Sequence, residues 1–389
     1  MYRRQRFQGI QMIYKTLKLG FIGGSINSAI GSTHKIASQM DNKFTVVCGC
    51  FSTHEDSNRE TAEKWNIEKI YSNHIKLLEN EKNNLDAIVI LTPTDIHSNI
   101  IMDVLEYDIP IICEKTLTNS LNDALKIKKL LMKNHGFLVT TYNYTGYPMI
   151  RELEHMIKQD VLGKIIQIHI EMPQESFMRL DKNANISKPQ NWRLKDNEIS
   201  TLSLDLGTHL SNMITFLIKE HPLEVIAIQN SFGHHKVVDN LMCMIKYSNN
   251  IDCQMWYSKS ALGHKNGLKV EVYGTKGSAS WYQMNPEFLE FNDNVGRNIM
   301  IDRSSKDIAI ADQNRYNRFK SGHPAGFIEA FANHYDDIYE GLIAFKQNKS
   351  DYLNNYIFGI DDSISELSLM TAIERSIVTK QWEKINVED

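Results

Sequence analysis

The chain has 389 residues, more than one hydrophobic core usually organises, which predicts two domains. With 42% hydrophobic residues, 23% charged residues and a formal net charge of -4, it has the balance of a soluble globular protein and not of a disordered one. No basic run interleaves with aromatics, which argues against a nucleic-acid partner, and no stretch of 18 apolar residues offers a membrane-spanning helix.

The first fifteen residues carry Arg3, Arg4, Arg6 and Lys15 without any acid, and no apolar stretch of signal-peptide length follows. Residues 1–15 therefore read as a loose tail, with Met12 a second candidate start, and the expected compartment is the cytoplasm. Cys48, Cys50, Cys113, Cys243 and Cys253 show neither metal-ligand spacing nor a disulfide framework, so they are expected to be reduced and mostly buried.

Along the chain, TLKLGFI (16–22) alternates Leu17, Leu19 and Phe21 with Lys18 and Gly20, then runs into glycines: a strand and a sharp turn. The compact apolar runs FTVVCGCF (44–51), LDAIVILT (85–92), IPIICEK (109–115) and GFLVTTYNY (136–144) predict further strands. Between them SNRETAEKW (57–65), NIIMDVLEY (99–107) and NDALKIKKLLMKN (122–134) have helical character. This rhythm predicts a parallel sheet covered on both faces. From about residue 163, KIIQIHIEM, EVIAIQNSF, NLMCMIKYS, DCQMWYSKS and LKVEVYG follow with few helices between, which predicts an antiparallel sheet. Asn249-Asn250 and GTKGS (274–278) supply hairpin turns, and GFIEAFANHYDDIYEGLIAF (326–345) a long helix. The expected fold is α/β: a Rossmann-like doubly wound parallel sheet over 16–145, then an α+β domain with an open, mostly antiparallel sheet over 146–389.

A dinucleotide turn needs glycine where the chain turns tightly, where the backbone nears the pyrophosphate and where helix meets strand. In GFIGGSINSAIG (20–31), Gly23, Gly24 and Gly31 suit these roles, but Ser25 replaces the second glycine and the third is delayed. A strand-to-helix turn without a ligand explains the loop alone equally well. The strand ends tip the balance, because a doubly wound sheet binds ligands beyond its carboxyl edge. Three of them carry polar chemistry: TPTDIH (92–97), CEKTLT (113–118) and TYNYTGYP (141–148).

Taken together, GFIGG, TPTDIH, CEK (113–115), YTGYPMIRE (144–152), LDLGTH (204–209) and GHPAGFIEAF (322–331) resemble the glucose-fructose oxidoreductase, inositol dehydrogenase and MocA family. The resemblance runs from about residue 16 through nearly the whole chain. It implies hydride exchange between NAD(H) or NADP(H) and a sugar or cyclitol. Expected cofactor contacts are Gly23, Gly24, Ser25, Asn27, Ser52, Thr92, Pro93, His97, Glu114, Lys115 and Asn143. Two departures stand out: the family's Glu-Lys-Pro reads Glu114-Lys115-Thr116, which loosens the expected geometry of Lys115, and the glycine loop carries Ser25 and Asn27.

Oxidising a secondary alcohol requires a base for the hydroxyl proton and a donor or cation for the developing alkoxide. The resemblance implies Lys115, Asp205 and His209 as the catalytic set. Lys115 otherwise reads as a solvated turn lysine. Asp205 and His209, four apart at a predicted helix start, share one face, and with an ordinary pKa of about 6.5 His209 accepts a proton at cellular pH. Asp205 by itself also fits a helix N-cap, and His209 a satisfied core histidine. In NWRL (191–194), Trp192 suits a sugar face and Arg193 a carboxylate or phosphate, unless Arg193 forms a surface ion pair. Tyr144, Tyr147, Arg151 and His323 are expected along the same cleft, although helix packing explains Tyr147 and Arg151 nearly as well. His234 and His235 would point to opposite sides of a strand, and no metal is expected.

At the tip of the second strand, Ser52 and Thr53 suit a ribose or a 2'-phosphate, Glu55 and Asp56 favour NAD, and Arg59 favours NADP. The balance tilts to NAD. Ile166, Ile168 and Ile170 alternate with Gln167, His169 and Glu171, which with the family's habit of pairing these sheets predicts a homodimer or homotetramer through the C-terminal sheet. Two other readings stay open: an NAD-dependent glycoside hydrolase or epimerase with transient oxidation, and a non-catalytic sugar- or NAD-sensing regulator of the same fold.

Overall fold

The computed structural model describes residues 15–349 and 352–386, so the expected tail lies, apart from Lys15, outside the described residues. The first sheet contains β1 (Leu17–Gly23), β2 (Phe44–Cys50), β3 (Lys69–Ile70), β4 (Ala87–Leu91), β5 (Ile111–Glu114) and β6 (Leu138–Thr141). They lie in the order β3-β2-β1-β4-β5-β6 and every pair is parallel, the doubly wound arrangement expected from the sequence. Its crossovers are α1 (Gly31–Gln39), α2 (Glu55–Trp65), α3 (His74–Glu81), α4 (His97–Leu105) and α5 (Leu121–Asn134). β3 escaped the sequence reading because two residues carry no period.

Alternation along β1 and β4 divides the apolar residues between two faces. Ile22, Ile88 and Ile90 meet Ile100, Ile101 and Val104 of α4 and Ile127 of α5 in one cluster. Leu17, Leu19, Phe21 and Val89 form the other, with Ala37 of α1 and Phe331, Tyr335, Ile338 and Leu342. Those last four belong to α8 (Phe327–Lys346), which follows α6 (Pro148–Lys158) and α7 (Thr208–Ile218). A helix from the second half of the sequence thus covers the first sheet. The core does not divide at the expected boundary near residue 145.

The second sheet holds β7 (Ile165–Pro173), β8 (Pro222–Asn230), β9 (Asn240–Tyr247), β10 (Ile251–Ser258), β11 (Lys269–Gly274), β12 (Gly277–Tyr282), β13 (Leu289–Asp293), β14 (Asn298–Ile301) and β15 (Glu383–Lys384). Their order is β14-β13-β12-β11-β7-β10-β9-β8-β15; β7 and β10 pair in parallel and the other neighbours are antiparallel. Asn249 and Asn250 turn the β9–β10 hairpin with φ of 58° and 60°, left-handed values that asparagine tolerates. α9 (Ile360–Thr379) packs on β8 and on α5, bracing the second sheet against the first.

Two expectations need correction. Register between β11 and β7 shifts from Tyr273↔Gln167 to Gly274↔Ile165, so Ile166 is the extra residue of a bulge. Ile165, Ile168 and Ile170 point into the core while Ile166 is 47% exposed, sharing the outer face with Ile228, Met242 and Met244. His234 and His235 lie on an irregular segment between β8 and β9, not on a strand. There His234 Nε2 is 3.1 Å from the Met178 carbonyl, and His235 packs edge-on against Phe177. All five cysteines are buried and free. Among the described residues no helix is long and apolar enough to cross a membrane.

Candidate functional site

β1 ends at Gly23 and Gly24, whose φ values of +80° and +74° are left-handed. A Cβ on Gly24 would stand 2.5 Å from Leu91, and one on Gly31 only 1.8 Å from the Gly24 carbonyl oxygen. Gly31 therefore fills the role of the third glycine despite its delay, since α1 docks on the loop at that point. The intervening residues close on themselves: the Ser28 N–H donates to the Ser25 carbonyl (2.8 Å), and the Gly31 N–H to Ser28 Oγ (2.8 Å). Asn27 reaches Ser57 at the start of α2 (3.5 Å), and Ser52 accepts from the His54 N–H (3.1 Å).

Beyond the carboxyl ends of β1, β4 and β5 opens a cleft of about 340 Å³. Its walls include Ser28, Ala29, Ile30, Thr92, Pro93, Asp95, Glu114, Lys115, Trp192, Arg193, Leu204 and Asp205. Of the expected cofactor contacts, Thr92, Pro93, Glu114 and Lys115 are among these walls; Gly23, Gly24, Ser25, Asn27, Ser52, His97 and Asn143 are not, whereas Ser28 to Ile30, which were not expected, are. Thr92 Oγ1 and Asn143 Nδ2 are buried without a hydrogen-bond partner. Orphaned polar atoms of this kind call for a ligand or a water. Together with the glycine turn and the open N-terminus of α1, they fit a nicotinamide dinucleotide.

Not every strand-end residue faces the cleft. The buried ring of His97 sits 3.0 Å from the Thr116 carbonyl and 2.8 Å from that of Thr92, so it braces two strand-end loops and does not reach a ligand. Glu114 lies 2.5 Å from His34 Nε2 of α1 and accepts from the Lys115 N–H (2.9 Å) and Thr141 (3.2 Å). Burial alone would raise its pKa, but the His34 hydrogen bond and the charge of Lys115 hold it below the ordinary carboxylate value.

Asp205 is the centre of the charged cluster. It lies on a π-turn, Ser203–Gly207, that leads into α7. Lys115 Nζ donates to the Asp205 carbonyl at 2.7 Å and to Oδ1 at 3.1 Å, while Arg193 Nη2 stands 3.2 Å from Oδ2. Lys259, the residue after β10, donates to Oδ2 as well. The sequence reading missed Lys259; its only signal was a lysine placed directly after a mostly buried strand. Burial would push the Asp205 pKa up, yet Lys259, Lys115 and Arg193 hold it well below the usual carboxylate range. Burial brings Lys259 down to about 8, against the pull of Asp205, so it keeps most of its charge at pH 7.

The four-residue spacing of Asp205 and His209 spans the π-turn, so the two do not act as a simple helical pair, and Asp205 is no N-cap. The His209 ring packs edge-on against Tyr144 (4.8 Å) and Tyr142 (5.9 Å), with Nδ1 buried and unpartnered. Burial and then the charge of Lys115 push its pKa well below the ordinary 6.5, only partly opposed by Asp205. The expectation of titration near 6.5 is corrected: His209 is neutral at neutral pH.

Behind it, Tyr144 Oη accepts from Asn266 (3.1 Å) and Tyr147 Oη from Gln283 (3.2 Å), the two rings stacked at 6.4 Å. Tyr147 is thus a packing residue behind the cleft. Arg151 points away altogether, its guanidinium fully buried and paired with Asp337 and with Tyr316 Oη (2.6 Å). His323 is exposed on a loop before α8, outside the cleft walls. Trp192 is 38% exposed, and the Arg193 guanidinium lies 4.7 Å over its ring. Thr116, where the family has proline, donates through Oγ1 to the Leu204 carbonyl at 2.6 Å, and its bond to Lys115 is cis. The hydroxyl pins the strand end to the π-turn, which corrects the expected looseness around Lys115.

The chain is also similar to known proteins. Residues 17–144 match the oxidoreductase family with an NAD-binding Rossmann fold, and residues 150–280 match the GFO/IDH/MocA C-terminal domain. The uncharacterized oxidoreductase YfiI of Bacillus subtilis is 26% identical over 365 residues, covering 90% of this chain and 91% of its own length. The levoglucosan dehydrogenase of Pseudarthrobacter phenanthrenivorans is 23% identical over 249 residues, 56% of this chain and 60% of that one. An inositol dehydrogenase homolog from Azotobacter vinelandii, complexed with NADH and myo-inositol, superposes with a TM-score of 0.86 at 22% identity, covering 95% of this chain and 98% of that one. The chain belongs to the GFO/IDH/MocA oxidoreductase family and carries that family's NAD-binding Rossmann fold.

Proposed function

We propose that the protein is a dehydrogenase that passes hydride between a secondary alcohol of a sugar or cyclitol and a nicotinamide dinucleotide. The observation that carries this reading is the cluster on the cleft wall. Lys115 and Asp205 come from different sheets' surroundings and meet at 3.1 Å on a cleft whose other wall is Ser28 to Ile30 of the glycine loop; His209 is not among the cleft walls but lies near enough to feel the charges of both. Relatives that act on levoglucosan or hold myo-inositol support the substrate class.

When bound, the cofactor supplies the hydride acceptor. The chain's own residues do the rest. Gly23, Gly24, Thr92, Pro93, Glu114 and Asn143 hold the dinucleotide, and Trp192 packs on the substrate ring. Lys115 steadies the alkoxide oxygen as the carbon loses hydride, and His209, neutral and desolvated, takes the hydroxyl proton. NAD is the expected partner, because Arg59, the residue that would favour a 2'-phosphate, is paired with Glu55 at 2.7 Å.

A screen of sugars and cyclitols with NAD and NADP, read as nicotinamide absorbance, tests the reading. Turnover is expected with at least one polyol and faster with NAD. A protein whose melting temperature neither cofactor raises at millimolar concentration would overturn it, since ligand at 100 times its Kd adds about 2.7 kcal/mol. Binding of both cofactor and sugar without turnover would instead identify a regulator, and a tightly held, non-exchanging NAD would favour transient oxidation.

The outer face of the second sheet supports a homo-oligomer. Ile228 of β8 and Met242 and Met244 of the adjoining β9 are 62%, 45% and 56% exposed, and Ile166 of β7, on the far side of β10, is 47% exposed, apolar side chains that a second copy would cover. Light scattering at micromolar concentration should give a dimer or tetramer mass, and Met244→Lys should shift it towards monomer. A monomer mass for the unaltered protein would end this reading.

A further inference from the structure

Asp205 divides its oxygens between three cations. Its Oδ1 and its main-chain carbonyl both accept from Lys115 Nζ, at 3.1 and 2.7 Å, whereas Oδ2 faces Arg193 at 3.2 Å and also accepts from Lys259. An ammonium has three N–H groups. Two of those on Lys115 are therefore taken up by Asp205, which leaves one for a substrate oxygen, and where that one points is set by where Asp205 stands.

The two cations on Oδ2 are not equivalent. The Arg193 side chain is 30% exposed and lines the cleft, so its hold on Asp205 is open to any ligand that enters. The Lys259 side chain is 2% exposed and is not among the cleft walls, so it touches Asp205 and not a ligand in the cleft. Its backbone is fixed on both sides: the N–H donates to the Asp239 carbonyl (2.7 Å), just before β9, and the carbonyl accepts from the Phe177 N–H (2.8 Å). Its ammonium lies 5.3 Å from the centre of the Phe177 ring. A buried ion pair is weak evidence of stabilisation, since apolar side chains of similar volume often serve a fold as well or better. What Lys259 offers that they would not is a fixed donor on Oδ2.

We propose that Lys259 is a positioning residue for the dehydrogenase reaction: by gripping Asp205 Oδ2 from behind the cleft, it keeps Oδ1 and the Asp205 carbonyl on Lys115, and so keeps the remaining N–H of Lys115 aimed at the substrate oxygen. This rests on the dehydrogenase reading and adds to it a residue that touches neither substrate nor cofactor. The charged groups that face the Lys259 ammonium are Asp205, Arg193 and Lys115. Burial, against the pull of Asp205, brings Lys259 down to about 8, so its charge is present below that pH and lost as pH rises through it.

The test compares the full-length protein with Lys259→Met and Lys259→Arg, using NADH fluorescence to show that each variant is folded. Turnover is read with NAD on levoglucosan and myo-inositol, on both sides of pH 8. Lys259→Met should lower kcat by roughly 10- to 100-fold, the scale on which a misplaced catalytic group slows a reaction, while KM and NADH affinity stay within about threefold. Turnover of the unaltered protein should fall as pH rises through about 8, and Lys259→Arg, whose guanidinium stays charged, should keep most of kcat and lose that fall. The crystal structure of Lys259→Met with NADH gives a readout that needs no substrate: Lys115 Nζ should have left Asp205 Oδ1. An unmoved Asp205 and Lys115 in that structure, an unchanged kcat, a loss confined to KM or to melting temperature, or an alkaline fall that persists in Lys259→Arg would overturn the inference and leave the dehydrogenase reading standing. Failure of NADH to bind the unaltered protein would overturn that reading instead.

Discussion

Lys115→Met should lower turnover by more than His209→Asn does, and His209→Asn itself by roughly 100- to 10,000-fold, the usual range for general acid-base catalysis. The difference follows from what each side chain touches in the proposed reaction. Lys115 faces both the oxygen that gains charge and the cofactor side of the cleft, so its loss removes stabilisation that only the transition state uses in full. Asp205 would still be held by Lys259 and Arg193, so the site should survive the change and the loss should appear in kcat more than in folding. The pH profile separates the two roles. A base must be unprotonated to accept a proton, and His209 has a pKa well below 6.5, so oxidation should stay flat through pH 6.5 and fall only at distinctly lower pH. His209→Asn should remove that fall. An acid limb centred near 6.5 that survives His209→Asn would mean another group is the base, and near-normal turnover in both variants on a verified substrate would end the assignment.

How much of this site could be read from sequence depends on where the information lay. The strand ends were legible because period-two apolar runs stop abruptly, and a doubly wound sheet fixes which ends face a ligand. That logic found Thr92, Glu114 and Lys115 on the cleft wall. It failed for His97, because proximity in sequence to a strand end does not say whether a ring turns outward or, as here, between two carbonyls. It failed for Arg151 in the same way. Lys259 was invisible for a different reason: its partner is 54 residues away, and only the pairing of β7 with β10 brings the end of β10 to the π-turn. The turn itself hid behind a four-residue spacing that reads as an ordinary helix. α8 posed the opposite problem, since its amphipathic stretch was plain but the sheet that it covers was not. Local pattern fixes the element; only the closed core decides its neighbour.

Arg151→Met should be the most destabilising single change at an expected site residue, and it should leave the chemistry nearly intact in molecules that fold. The Arg151 and Asp337 side chains are both fully buried. The guanidinium also donates to the Thr145 carbonyl at 3.0 Å and to Tyr316 Oη at 2.6 Å, and it lies 4.3 Å from the centre of the Tyr356 ring. Those partners come from the turn after β6, from the segment before α8, from α8 itself and from the segment before α9. One side chain therefore ties together the elements that join the two sheets. Breaking a buried pair by removing one member usually costs about 3–5 kcal/mol, because the other charge stays buried. Arg315, 2.6 Å from Asp337 Oδ1, softens that cost by keeping the carboxylate partly paired, which places the expected loss at the low end. At about 2–4 °C per kcal/mol for chains of a few hundred residues, the melting temperature should drop by roughly 6–12 °C. Below the transition, kcat and KM should stay within about threefold of the unaltered protein. A substrate contact would behave in the opposite way, raising KM at an unchanged melting temperature, and that result would return Arg151 to the cleft from which its buried ion pair now excludes it.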